Sequence, residues 1–111
     1  MKHKIVLVPF PFDDLSSTKV RPAVCLTNEI RPYGHVVLAF ITSNISNPAA
    51  TDLVIQTSDP DFQRTGLKVA STVRLHRLMT VSTSIFLRRL GDLSPIHITA
   101  VENNLRNVFG L

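Results

Sequence analysis

A single cysteine, Cys25, in 111 residues excludes an intrachain disulfide and a thiolate metal cluster, and fits a reducing compartment. No apolar run approaches the roughly 18 residues that a membrane helix needs. The basic start leads into "IVLVPFPF", which is short, broken by Pro9 and Pro11, and followed by no small-residue cleavage site. It does not read as a secretory signal, and a cytoplasmic protein without a membrane role is expected. Internal repeats, low-complexity tracts and long interdomain linkers are all missing, so one domain over 1–111 is expected. Acidic residues are few: eight Asp+Glu against twelve Lys+Arg leave a formal charge of +4 and a pI near 9.8. That balance suits a polyanionic partner, nucleic acid or an acidic protein segment, as well as a plain solvated surface. His3, His35 and His97 have no neighbours at metal-ligand spacing, so they read as incidental and no metal site is expected.

What is present is a globular composition, 44 % hydrophobic and 18 % charged, with strand signals throughout. "KIVLVPF" (4–10) is rich in Val and Ile, and its prolines suit a strand end or edge. "PAVCLT" (22–27) is a second run. "HVVLAFITS" (35–43) is apolar on both faces and reads as a central strand. "TDLVIQT" (51–57) is short. "LKVASTVRLHRLMTV" (67–81) places Val69, Val73, Leu75 and Met79 on one period-2 face, and "SIFLRRLGDL" (84–93) completes the set. Turn-rich segments such as "DDLSSTK" and "SNISNPAA" lie between them. One helix is marked at both ends, by Ser94 as N-cap with Pro95 behind it and by Gly110 as the stop. Ile98, Val101, Leu105 and Val108 fall between them at helical spacing. The expected fold is mainly β, a small antiparallel barrel capped by a carboxy-terminal helix.

"VLVPFPFDDLSSTKVRPAVCLTN" resembles the opening of the MazF/PemK toxin family, a strand, a loop and an "RPA/RPV" return strand. "LAFITSNI" (38–45) is similar to the family's next strand, which ends in a Thr/Ser pair. "RTGLKVASTVRLHRLMTVSTSIFLRRLGDLS" resembles the later strands, and "AVENNLRNVFGL" the final helix. The resemblance covers nearly the whole chain in order. It implies an SH3-like barrel, usually homodimeric, and the toxin of a type II toxin-antitoxin system. It further implies metal-independent, cofactor-free, sequence-selective cleavage of single-stranded messenger RNA. The 2′-hydroxyl would attack, leaving 2′,3′-cyclic phosphate and 5′-hydroxyl ends. A cognate antitoxin with an acidic, partly disordered tail would restrain it.

Such a reaction needs cationic and hydrogen-bonding groups around the phosphorane and at least one proton carrier. Arg21 offers a permanently charged, planar fork of donors, and Pro22 biases its backbone towards extended angles. Without the resemblance it reads as a surface arginine at a strand start. Thr42 and Ser43 close the third strand, where a hydroxyl can donate to a phosphorane oxygen or simply cap a turn. The family's Thr/Ser position puts Thr42 ahead of Ser43. Arg74 and His76 lie two apart on a strand and so project together. Arg74 suits phosphate and His76 suits proton transfer, against a surface or interface histidine. Lys19, Arg64, Lys68, Arg77 and the pair Arg88–Arg89 can add phosphate contacts. Phe10, Phe12 and Phe62 can stack on bases or pack in the core. Many family members carry Glu-Gln shortly before the arginine; here the residues are "SSTKV", with Asp13 and Asp14 further back, and the general base stays open. Two other readings therefore stand beside the ribonuclease: a catalytically decayed nucleic-acid-binding module of the same fold, and a gyrase-inhibiting toxin of a related fold.

Overall fold

A computed structural model of the chain describes residues 1–9 and 19–111. Its strands are β1 (Lys4–Pro9), β2 (Val20–Cys25), β3 (His35–Thr42), β4 (Leu53–Ile55), β5 (Ser71–Ser82) and β6 (Arg88–Asp92). One α-helix, α1 (Pro95–Phe109), follows them. The strands form a single curled sheet, a half-barrel, in the order β4-β5-β3-β2-β1-β6. Every pairing is antiparallel. Among the described residues no helix is long and apolar enough to cross a membrane. Phe10, Phe12, Asp13, Asp14 and most of the "DDLSSTK" segment, up to Thr18, lie outside the described residues.

The central strand of the sequence reading is β3, paired on both edges, and it is apolar on both faces because its alternate residues enter two opposite apolar layers. Pro9 sits at the end of β1, beyond the reach of β6, whose pairing stops at Leu7↔Arg88. A missing N–H costs nothing there. Pro22 lies one residue short of the β2–β3 ladder, which begins at Ala23↔Phe40. The helix keeps the limits its caps announce. The Ser94 hydroxyl accepts from the His97 backbone N–H at 3.4 Å. Gly110 turns left-handed at φ 70°, and the Leu111 N–H closes the last turn on the Arg106 carbonyl at 2.8 Å, as orphaned helix carbonyls require.

Alternation along the strands builds an apolar layer on each side of the sheet. Ile5, Val24, Ala39, Ile41, Val73 and Leu75 pack under α1, with Val101 from the helix itself. Val6, Val8, Ala23, Cys25, Val36, Leu38 and Phe40 form the opposite layer, covered by Met79, Val81, Ile85 and Phe86.

One expectation fails here in an informative way. Val69, Val73, Leu75 and Met79 do not share a face. Val69 precedes the strand and is half exposed. Val73 and Leu75 enter the helix-side core, Leu78 joins them, and Met79 goes to the opposite layer. For Leu78 and Met79 the cause is a bulge. β3 and β5 pair as Ala39↔Leu78 and then Ile41↔Val73, so the single residue Phe40 faces four, Arg74 to Arg77. Extra residues in one strand reverse the inward–outward parity of everything beyond them.

The expected long strands also shorten. Residues 84–93 divide into a 3-10 turn, Thr83–Ile85, and β6. Residues 67–70 lie outside β5, behind a second 3-10 turn, Phe62–Thr65, that packs on β6. Gly66 and Gly91 make that packing possible. A Cβ on Gly66 would overlap the Leu90 carbonyl oxygen, and one on Gly91 the Arg64 carbonyl oxygen.

Candidate active site

The β5 bulge turns a run of basic side chains towards the end of β3 and the start of β2. Arg21 enters from β2, Phe40, Ile41 and Thr42 from β3, and Arg74, His76 and Arg77 from the bulge. Together they line a cleft of about 310 Å³. Five of the residues singled out in the sequence (Arg21, Thr42, Arg74, His76 and Arg77) thus meet around one space. Their separation along the chain is bridged by register: Arg21 pairs with Val8, and Thr42 with Thr72, two residues before Arg74.

The Thr42 hydroxyl accepts from the Asn44 backbone N–H at 3.2 Å. Its own proton stays available to donate into the cleft. Arg74 is held by Asp52, Nη1 to Oδ2 at 3.0 Å, and the Asp52 side chain is fully buried. His76 turns Nδ1 to the other oxygen of the same carboxylate at 3.6 Å, with its side chain 49 % exposed. Arg77 is exposed at the rim. Among the described residues, Arg21, Arg74 and Arg77 and the buried Asp52 carboxylate are the charged groups around the cleft besides His76, a lining chemically suited to anions.

The remaining candidates divide. Ser43, Lys68 and Arg88 line an adjoining groove of about 320 Å³ that shares Arg21 and Ile41 with the cleft. Arg64 is exposed on the Phe62–Thr65 turn, and Lys19 is exposed before β2. Neither is in the described lining of either space. Arg89 is engaged by Asp92 at 2.6 Å. Phe62 packs against the helix-side core, so packing accounts for it.

Asp52 went unread in the sequence. It directly precedes β4, whose ladder with β5 begins at Leu53↔Val73, so the next position of that register sets Asp52 across from Arg74. No local pattern announces a partner 22 residues away.

His97 is not incidental either. Its ring joins Ser94 Oγ at 2.9 Å and Asp59 Oδ2 at 3.0 Å. Ser, His and Asp are the residue types of a hydrolytic triad, yet Ser94 and His97 are 1 % and 3 % exposed and Ser94 is the helix cap. The array ties the start of α1 to the Asp59 turn. The Asp59 carboxyl is held below its ordinary value, chiefly by the Gln56 backbone N–H and then by His97. Among the described residues no group of three or more His, Cys, Asp or Glu is placed to hold a metal ion.

A half-barrel with a cationic, hydroxyl-bearing cleft at the meeting of three strands is the build of a small anion-binding β domain. The chain belongs to the family of PemK-like, MazF-like toxins of type II toxin-antitoxin systems, which residues 2–109 match. Among solved structures it is similar to the Mycobacterium tuberculosis toxin MazF-mt6, at 24 % identity and TM-score 0.74, covering 97 % of each chain. It is also similar to a mycobacterial endoribonuclease solved in complex with its cognate antitoxin, at 16 % identity and TM-score 0.77, covering 100 % of this chain and 95 % of that one. MazF (Form-I) from Deinococcus radiodurans aligns at 16 % identity and TM-score 0.73, over 99 % of this chain and 96 % of that one. No curated protein sequence matches.

Proposed function

We propose that this chain, acting as one domain over 1–111, is a metal-independent endoribonuclease toxin that cleaves single-stranded messenger RNA in the cytoplasm. One observation carries the reading: Arg21, Thr42, Arg74 and His76, drawn from three strands, converge on a single cleft. The 2′-hydroxyl of the RNA attacks the adjacent phosphorus. Its proton leaves to a base, and the 5′-oxygen departs with a proton from an acid. The products are a 2′,3′-cyclic phosphate and a 5′-hydroxyl. Arg21 and Arg74 stabilise the charge that gathers on the phosphorane oxygens, and the Thr42 hydroxyl donates to one of them. His76 is the proton carrier, being the side-chain type suited to both halves of the exchange near neutrality. Ser43, Lys68 and Arg88 extend the cationic track along the adjoining groove, with Lys19, Arg64 and Arg77 contributing phosphate contacts further out.

The same positive groove suits the acidic, partly disordered tail of a cognate antitoxin, whose carboxylates would compete with RNA phosphates. A homodimer is supported by the apolar layer opposite α1, which Met79, Val81, Ile85 and Phe86 cover without a helix.

The test is a defined RNA incubated with the protein in EDTA. Fragments with 5′-hydroxyl ends are expected, and Arg21→Ala should lower the rate by about 10²–10³-fold. Loss of cleavage by the wild type in EDTA would overturn the metal-free chemistry. Cleavage persisting in Arg21→Ala would overturn the site. Intact RNA with inhibited supercoiling would replace the reading with a gyrase poison.

A further inference from the structure

We propose that Asp52 is the positioning residue of this cleft: its buried second oxygen takes the Nδ1–H of His76 and leaves Nε2 to face the substrate. The inference rests on the ribonuclease reading and adds to it the device that orients the proton carrier. Asp52 cannot act on RNA itself, because its side chain is fully buried. It can act only through its neighbours.

The two carboxylate oxygens are unequally employed. Oδ2 accepts from the Ala49 backbone N–H at 2.9 Å and from Arg74 Nη1 at 3.0 Å. Oδ1 is equally enclosed and has no hydrogen-bond partner among the described residues. A buried carboxylate oxygen left without a donor is costly, so the fold must offer it one. The donor within reach is His76 Nδ1 at 3.6 Å, too long for a hydrogen bond but short of one by only about 0.7 Å. His76 is half exposed, free to make that small rotation, and catalytic hydrogen bonds often tighten only once substrate is bound.

Once tightened, that contact fixes the tautomer. With Nδ1–H directed at Asp52, the neutral ring presents a bare Nε2, an acceptor able to take the 2′-hydroxyl proton. The charged ring formed by that transfer would then be held between the carboxylate and the phosphorane, and Nε2–H would pass a proton to the leaving 5′-oxygen. The same carboxylate anchors Arg74, so one buried group aligns both the charge stabiliser and the proton carrier. Strand alternation puts Arg74 and His76 on the same side of β5, and the β4–β5 register sets Asp52 against them.

The substitution Asp52→Asn separates the roles. The amide oxygen can keep the Ala49 and Arg74 contacts, which leaves the NH₂ directed at His76. Nδ1 must then accept, and the ring changes to the Nε2–H form, which cannot act as a base towards the cleft. Long-range ¹H–¹⁵N spectra at alkaline pH, with His76 assigned by comparison with His76→Gln, should show Nδ1–H in the wild type and Nε2–H in Asp52→Asn. On a fluorogenic RNA, Asp52→Asn should lower kcat at least ~10-fold with KM within about 3-fold, and adding His76→Ala should cost little more. A wild-type ring in the Nε2–H form would overturn the proposal, as would a tautomer unmoved by Asp52→Asn or rate losses that multiply in the double variant. Should Asp52→Asn fail to fold, the wild-type spectrum alone decides. A tautomer that changes as expected in a protein that cuts no RNA would sink the ribonuclease reading and leave the Asp52–His76 pairing standing.

Discussion

Removing Arg74 should cost this protein far more stability than its partly exposed position suggests. The Asp52 side chain is fully buried and Arg74 is 26 % exposed, with 3.0 Å between Nη1 and Oδ2. Truncating one member of a fully buried ion pair costs about 3–5 kcal/mol, because the other charge is stranded. Here two features soften the loss. The Ala49 N–H stays on Oδ2, and water can enter from the cleft once the guanidinium has gone. About 2–3 kcal/mol is therefore expected for Arg74→Ala. In urea unfolding followed by far-UV circular dichroism, that is a midpoint lowered by about 1–2 M with an unchanged slope. Arg77→Ala, in the same bulge and at the exposed rim, should stay within about 0.5 kcal/mol of wild type. In an Asp52→Asn background the cost of Arg74→Ala should fall below about 1 kcal/mol, since no charge is then stranded. If Arg74→Ala costs no more than Arg77→Ala at equal slope, or costs the same in both backgrounds, the buried pair is not what Arg74 supports.

Gly91→Ala should destabilise by about 1–3 kcal/mol and lower Tm by about 5–15 °C, because the new Cβ meets the Arg64 backbone oxygen rather than a movable side chain. The Asp59 carboxyl is held below its unfolded value by the Gln56 N–H and then by His97. The stability it contributes is present above the unfolded pKa, about 4, and is lost as pH falls through the lower folded value. Thermal melts taken from pH ~5 downward should thus decline less steeply in Asp59→Asn than in wild type, and parallel curves would contradict the assignment. Burial pushes the Cys25 thiol up to about 11, so iodoacetamide at pH ~8 should leave the native protein unmodified and label it rapidly in urea. Labelling at equal rates in both states would show that the sheet does not enclose that side chain.

The elements legible beforehand were those whose chemistry is local. Ser94, Pro95 and Gly110 mark the helix because capping acts within a few residues of each end. β3 was legible as the central strand because a strand enclosed on both faces has no polar alternation. Arg21, Thr42, Arg74 and His76 were legible as candidates because guanidinium, hydroxyl and imidazole carry their chemistry wherever they stand, and the resemblance put Arg21 first and Thr42 ahead of Ser43. The face assignment of Met79 failed because alternation was carried through a bulge that no residue in "RLHRL" announces, and that of Val69 because the strand begins only at Ser71.

What the sequence determined by itself was therefore the inventory: a basic, mainly β chain with a capped carboxy-terminal helix and a set of groups suited to a phosphodiester. What only the tertiary structure decided was which of those groups meet. The four-against-one bulge in β5 and the β4 register that sets Asp52 across from Arg74 are properties of strand pairing. Strand pairing is chosen by the burial of the whole sheet, and no stretch of residues read alone contains it.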